Sequence, residues 1–75
     1  MMLNFKSFTE TVEQKYESIA IEVMGNDNNW RRIESGVMNN PQAIARALEN
    51  TKKRHKDNRV RAVGQSTGRF YDMMA

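Results

Sequence analysis

The chain of 75 residues contains no cysteine, one proline and one histidine. Without cysteine it forms neither a disulfide framework nor a thiolate metal site, and His55 alone cannot supply a cluster of histidine ligands. No apolar run approaches the length of a transmembrane helix, and the first residues lack the apolar core of a signal peptide. We therefore expect a cytoplasmic protein with no cofactor, no metal and no membrane contact.

The groups that commonly carry catalysis are also missing. The sequence shows no Ser/His/Asp set, no glycine-rich phosphate loop after a strand and no carboxylate pair on an evident cleft, so we expect that the protein is not an enzyme. Its hydrophobic content of 39% and charged content of 28% are typical of a folded domain. A chain of this length predicts a single domain over residues 1–75 with a small core.

Charge is distributed unevenly along the chain, although the formal net charge is only +3. Residues 1–24 carry two lysines against four glutamates, whereas residues 46–75 carry eight basic against three acidic residues. The densest stretch, residues 46–61, has seven Lys or Arg and two acids. Such a surface favours a polyanionic partner, either nucleic acid or an acidic protein surface.

Helical periodicity dominates the first half of the sequence. One set of apolar residues recurs at spacings of three or four and predicts a helix over about residues 7–24: Phe8, Val12, Tyr16, Ile19 and Val23. Gly25 is a natural end for it. After a polar turn at residues 26–29, a second set, Trp30, Ile33 and Val37, predicts a short helix over about residues 29–38.

A third helix is predicted over about residues 41–56. Asn40 suits its N-cap. Pro41 suits its first position, because an N–H at that position has no partner within a helix and proline loses nothing by lacking it. Its inner face is predicted to consist of Ile44, Ala47, Leu48 and Thr51.

The last segment changes period. Two short β-capable runs flank a polar loop bounded by Gly64 and Gly68, which predicts a hairpin over about residues 59–73. A competing interpretation extends the third helix through Val63 and adds a short helix over residues 69–74. The predicted fold is therefore mainly α in a small α+β domain, with three helices followed by a β-hairpin wing. An all-α bundle of three or four helices is the alternative.

Two segments carry a resemblance to a known family. NNPQAIARAL (residues 39–48) resembles the turn and recognition helix of winged helix-turn-helix DNA-binding domains, and VRAVGQSTGRFYDM (residues 60–73) resembles their wing. The resemblance implies binding to duplex DNA. It implies that Gln42, Arg46 and Asn50 read base edges in the major groove and that Asn40, with the helix N-terminus, holds a phosphate.

The resemblance also implies a phosphate-binding link and a wing that contacts the backbone or minor groove. Their residues are Lys52, Lys53, Arg54, Lys56, Arg59, Arg61, Gln65, Ser66, Thr67 and Arg69.

The favoured function is a small basic DNA-binding protein, a transcriptional regulator or recombination accessory factor that acts as a dimer. The alternative is an interaction protein of the kind that phages and mobile elements encode, which binds and modulates a larger host protein. A third interpretation gives the basic residues no partner, since lysines and arginines at a helix end can simply be solvated and complement the helix dipole.

Overall fold

The computed structural model describes residues 17–74, which form a four-stranded antiparallel sheet with one helix packed on one of its faces. The elements in chain order are β1 (Ile19–Met24), β2 (Trp30–Val37), α1 (Pro41–Arg54), β3 (Val60–Gly64) and β4 (Phe70–Met74). The strand order is β2-β1-β3-β4, so β2 and β4 form the edges. No helix within this part of the chain is long and apolar enough to cross a membrane.

The centre of the sheet is built by β1 and β3. Side chains alternate between the two faces of a strand, and in β1 the β-branched residues Ile19, Ile21 and Val23 all point towards α1, where they pack with Val60 and Ala62 of β3. The alternate residues of β1, Ala20 and Glu22, are also buried, because β1 pairs with a strand on each side.

The helix predicted over residues 7–24 is therefore wrong where it can be compared, because Ile19–Met24 is a strand. The rest of that prediction, including Phe8, Val12 and Tyr16, lies outside the described residues. The physical reason is that Ile19, Ile21 and Val23 alternate with the period of two that is typical of a strand. The helical interpretation used only Ile19 and Val23 and left out Ile21.

The second predicted helix, over residues 29–38, is also wrong, because Trp30–Val37 is the edge strand β2. The predicted turn is present, but it joins two strands. The Gly25 N–H donates to the Asn29 carbonyl at 2.9 Å, and Asn28 has a φ of 66°, a left-handed conformation that asparagine tolerates. Register shifts in the β1–β2 pairing and a φ of 73° at Gly36 make β2 irregular, which explains its helix-like spacing of apolar residues.

The third predicted helix is present as α1. The Asn40 side-chain oxygen accepts a hydrogen bond from the Ala43 N–H at 2.8 Å, and Pro41 occupies the first turn. The predicted inner face is also present: Ile44, Ala47, Leu48 and Thr51 are its buried residues. The helix ends at Arg54, where the His55 N–H reaches the carbonyls of Thr51 and Lys52.

The predicted hairpin is present as the antiparallel pair β3–β4. Its turn is closed by the Gly64 N–H, which donates to the Arg69 carbonyl at 2.7 Å, and by Gly68, whose φ of 75° favours glycine. The fold class as a whole is nevertheless corrected. Three helices followed by a wing, and the all-α alternative, are both wrong, since four strands and one helix make up the described chain.

Thr51 offers a direct test of the packing between α1 and the sheet. Its side chain is fully buried, and its hydroxyl oxygen has no hydrogen-bond partner among residues 17–74. A buried polar group without a partner is destabilising. We therefore predict that Thr51→Val raises the free energy of unfolding by about 1 kcal/mol, measured by urea denaturation. Thr51→Ser keeps the hydroxyl and removes the methyl group, so it should lower stability; a stabilising Ser variant would contradict this explanation.

Candidate nucleic-acid interface

Five of the predicted site residues lie together where α1 ends and the chain turns into β3. We call this group the basic end; it consists of Lys52, Lys53, Arg54, Lys56 and Arg59. Helix α1 supplies the first three from its last turn, and the loop of residues 55–59 supplies the other two. Asp57 is the one acidic residue of this loop.

Hydrogen bonds hold the loop of the basic end against the sheet. The Lys52 ammonium group donates to the Asn58 carbonyl at 2.6 Å, and the Asn58 amide donates to the Met24 carbonyl at 2.8 Å. The Met24 N–H donates in turn to the Arg59 carbonyl at 2.9 Å. Lys52 therefore has a structural role. The hydrogen-bonded loop holds the other residues of the basic end in place.

The other four cations of the basic end are available to a ligand. Lys53, Arg54, Lys56 and Arg59 are all exposed, and none of them takes part in an ion pair within residues 17–74. The ion pairs of the described chain involve Arg31, Arg32 and Arg61. The basic end thus concentrates positive charge, and no described acidic side chain forms an ion pair with these four cations.

The predicted base-reading residues lie on the outer surface of α1, where Gln42, Arg46 and Asn50 are exposed. They form one edge of the helix and lead along it towards Lys53. Asn40 does not belong with them, because its side-chain oxygen caps the helix. We therefore interpret Asn40 as a structural residue.

The predicted wing tip lies at the opposite end of β3 from the basic end. We call residues 65–69 the turn tip; β3 separates it from the basic end by about 17 Å, the length of a five-residue strand. The Gln65 side-chain oxygen accepts the Gly36 N–H at 2.9 Å. The structure therefore does not bring Gln65, Ser66, Thr67 and Arg69 together with the phosphate-binding residues of the basic end.

A buried glutamate occupies the hydrogen-bond donors of the turn tip. Glu17 accepts from the N–H groups of Ser66 and Thr67 at 3.2 and 3.1 Å, and from the hydroxyls of Thr67 and Tyr71 at 2.9 Å each. A Cβ added at Gly64 would overlap its carboxylate, so glycine leaves room for it. Because these donors already serve a carboxylate, they are not available to a phosphate.

The same contacts change the pKa of Glu17. Burial raises this pKa, but the hydrogen bonds from Tyr71, Thr67 and Ser66 stabilise the carboxylate more strongly, and the net effect is a pKa below the ordinary value of about 4.5. The pKa of Tyr71 is raised by burial and by its bond to Glu17. Glu17 is thus ionised at neutral pH and ties the chain before β1 to the turn tip.

Arg61, another predicted phosphate-binding residue, lies on the sheet face opposite α1. Its guanidinium group pairs with the Glu22 carboxylate at 2.8 Å and stacks over the Trp30 ring at 4.1 Å from the ring centre. Arg32 approaches the other oxygen of Glu22 at 3.3 Å. The predicted site residues did not include Trp30, Glu22 or Arg32. Glu22, Arg32 and Arg61 share one sheet face because they are direct cross-strand neighbours, and this pairing brings together residues that are distant in sequence.

Comparison of the chain with protein-family models, with curated proteins and with solved structures found no match. Within residues 17–74 no group of three or more His, Cys, Asp or Glu side chains is arranged to hold a metal ion.

Glu17→Gln tests the contact between Glu17 and the turn tip. The variant loses the charge that the three donor residues stabilise, so at pH 7 we expect a free energy of unfolding lower by about 2 kcal/mol. Since the folded-state pKa of Glu17 is lowered, the stabilisation is present above its ordinary pKa and is lost as the pH falls through the folded-state value.

The stabilities of the two proteins should therefore converge in acid. Denaturation curves from pH 7 to pH 3 measure this convergence. A difference that stays constant over the whole range would show that the charge of Glu17 contributes nothing. Glu34→Gln, at an exposed position in β2, is the matched control and should leave stability unchanged.

Proposed function

We propose that the protein binds nucleic acid, with duplex DNA as the principal ligand, and that the basic end holds the phosphate backbone. The observation that carries the proposal is the set of four exposed cations, Lys53, Arg54, Lys56 and Arg59, with no ion-pair partner in the described chain. Phosphate contacts from lysine and arginine supply most of the non-specific affinity of proteins for DNA.

The separation of paired from unpaired basic residues supports the binding of a ligand at the basic end rather than simple solvation of its side chains. Two of the remaining arginines, Arg32 and Arg61, are paired with Glu22, and Arg31 is paired with Asp27 at 2.7 Å. A solvated helix end would complement the α1 dipole with the cations of its last turn alone. Here Lys56 and Arg59 extend the charge beyond the helix, onto a loop fixed by hydrogen bonds.

In this proposal, the nucleic-acid interface continues from the basic end along the outer side of α1. The helix has 14 residues and carries Gln42, Arg46 and Asn50 along one exposed edge. A major groove about 12 Å wide admits a helix, and these side-chain types pair with guanine or adenine edges. In this proposal the basic end gives affinity and the edge of α1 gives base preference, as a small regulator or accessory factor on DNA requires.

A pair of charge reversals tests the position of the interface. Lys56→Glu changes the charge at the basic end, and Arg69→Glu changes it equally at the turn tip. We expect Lys56→Glu to weaken binding to a random duplex at least about tenfold and to lower the salt slope by about 1, because one phosphate contact is lost. Arg69→Glu should change the affinity by less than about threefold, since charges beyond a Debye length are largely screened.

Fluorescence anisotropy with a labelled duplex at several salt concentrations measures both quantities. With four phosphates neutralised, the unmodified protein should give a slope of log K against log salt near about −3.6. An equal loss in the two variants would contradict the proposed position of the interface, and no binding at low salt would contradict nucleic-acid binding itself.

We propose a protein partner as the second candidate, because one edge strand carries exposed apolar side chains. Phe70 is 57% exposed and Met73 is 40% exposed, and both lie on β4. An edge strand of this kind can accept an additional strand from another protein. If the protein fails to bind DNA, a Phe70→Ser variant that loses capture of a specific partner would favour this candidate.

A further inference from the structure

Beyond the phosphate-binding surface, the face of the sheet opposite α1 carries a flat cationic surface at Arg61. The guanidinium group has one side against the Trp30 ring, 4.1 Å from its centre. The Glu22 carboxylate fixes the guanidinium edge, because it accepts from Nε at 2.9 Å and lies 2.8 Å from Nη2. The plane of this group is therefore held in one orientation while its side chain is 30% exposed.

The neighbours of Arg61 along the sheet are partly exposed. Met73 is the direct cross-strand partner of Arg61 on β4, and it is 40% exposed. On the other side, across Glu22, the Arg32 side chain is 42% exposed. An apolar thioether and a second guanidinium group thus flank the Arg61 plane in one row across the sheet.

This row reaches the same end of the molecule as the basic end. Trp30 is the register partner of Met24, and the Met24 N–H donates to the carbonyl of Arg59, a member of the basic end. A nucleic acid whose phosphates contact Arg59 can therefore bring an unpaired tail to the Trp30–Arg61 stack.

We infer that the Arg61 plane, backed by Trp30, stacks with an unpaired base of the nucleic acid that the basic end holds. Unpaired bases stack on aromatic rings and on arginine planes, and such stacking is tolerant of sequence. A paired base inside a duplex does not offer its face. This inference rests on the proposed function and specifies a duplex with an unpaired tail as the preferred ligand.

The test compares two probes, a short blunt duplex and the same duplex with a short unpaired tail. We expect the protein to bind the tailed duplex at least about fivefold more tightly, the lower end of what the stacking of one base contributes. Arg61→Lys keeps the charge and an ion pair with Glu22 but removes the plane. It should abolish the preference for the tail and leave the affinity for the blunt duplex unchanged.

Two further variants make the result unambiguous. Met73→Glu adds an acidic group beside Arg61 at an exposed position, so it should also reduce the preference even if Arg61→Lys is unstable. Arg69→Lys is the matched control away from the stack and should leave the preference intact. Equal affinity of the unmodified protein for both probes would overturn the inference and leave the proposed function standing. Failure to bind either probe at low salt would overturn both.

Discussion

The burial of Glu22 is the constraint that distributes the positive charge of this protein. Strand β1 lies between two other strands, so Glu22 is enclosed and its side chain is only 12% exposed. A buried carboxylate must be paired, because an isolated ion in that environment is strongly destabilising. Arg32 and Arg61 supply the pairing, and they are consequently held on the sheet face opposite α1.

The consequence is a division of the basic residues into two groups with different properties. Arg61 is fixed in geometry by its ion pair with Glu22, which suits the recognition of a flat group. Lys53, Arg54, Lys56 and Arg59 are not paired within the described chain, which suits contact with a polyanion. Glu17 has a similar organising role at the turn tip, where it binds the backbone donors of Ser66 and Thr67.

Local chemistry predicted the second half of the chain well. Asn40 and Pro41 marked the start of α1, its four inner residues were identified from their spacing, and Gly64 and Gly68 marked the hairpin. The first half was predicted wrongly because Trp30, Ile33 and Val37 fit a helical period while lying on a bulged edge strand. Register shifts break the period of two that identifies strands, so a single sequence gives little sign of such a strand.

The candidate site was predictable to a similar degree. A run of lysines and arginines identified the basic end, since its residues are near one another in sequence. The position of Arg61 depends on pairing between residues 39 positions apart, Glu22 and Arg61, which no local pattern contains. The turn tip was assigned to the same interface as the basic end because a wing was expected, whereas the sheet places the two at opposite ends of β3.

Mapping of amide chemical shifts during a titration with duplex DNA at low salt tests the central claim most directly. Binding through the basic end predicts that the largest shifts occur at residues 52–59, with smaller ones along the outer edge of α1, and that residues 65–69 are unaffected. Shifts centred on Phe70 and the turn tip, or none at all, would contradict it.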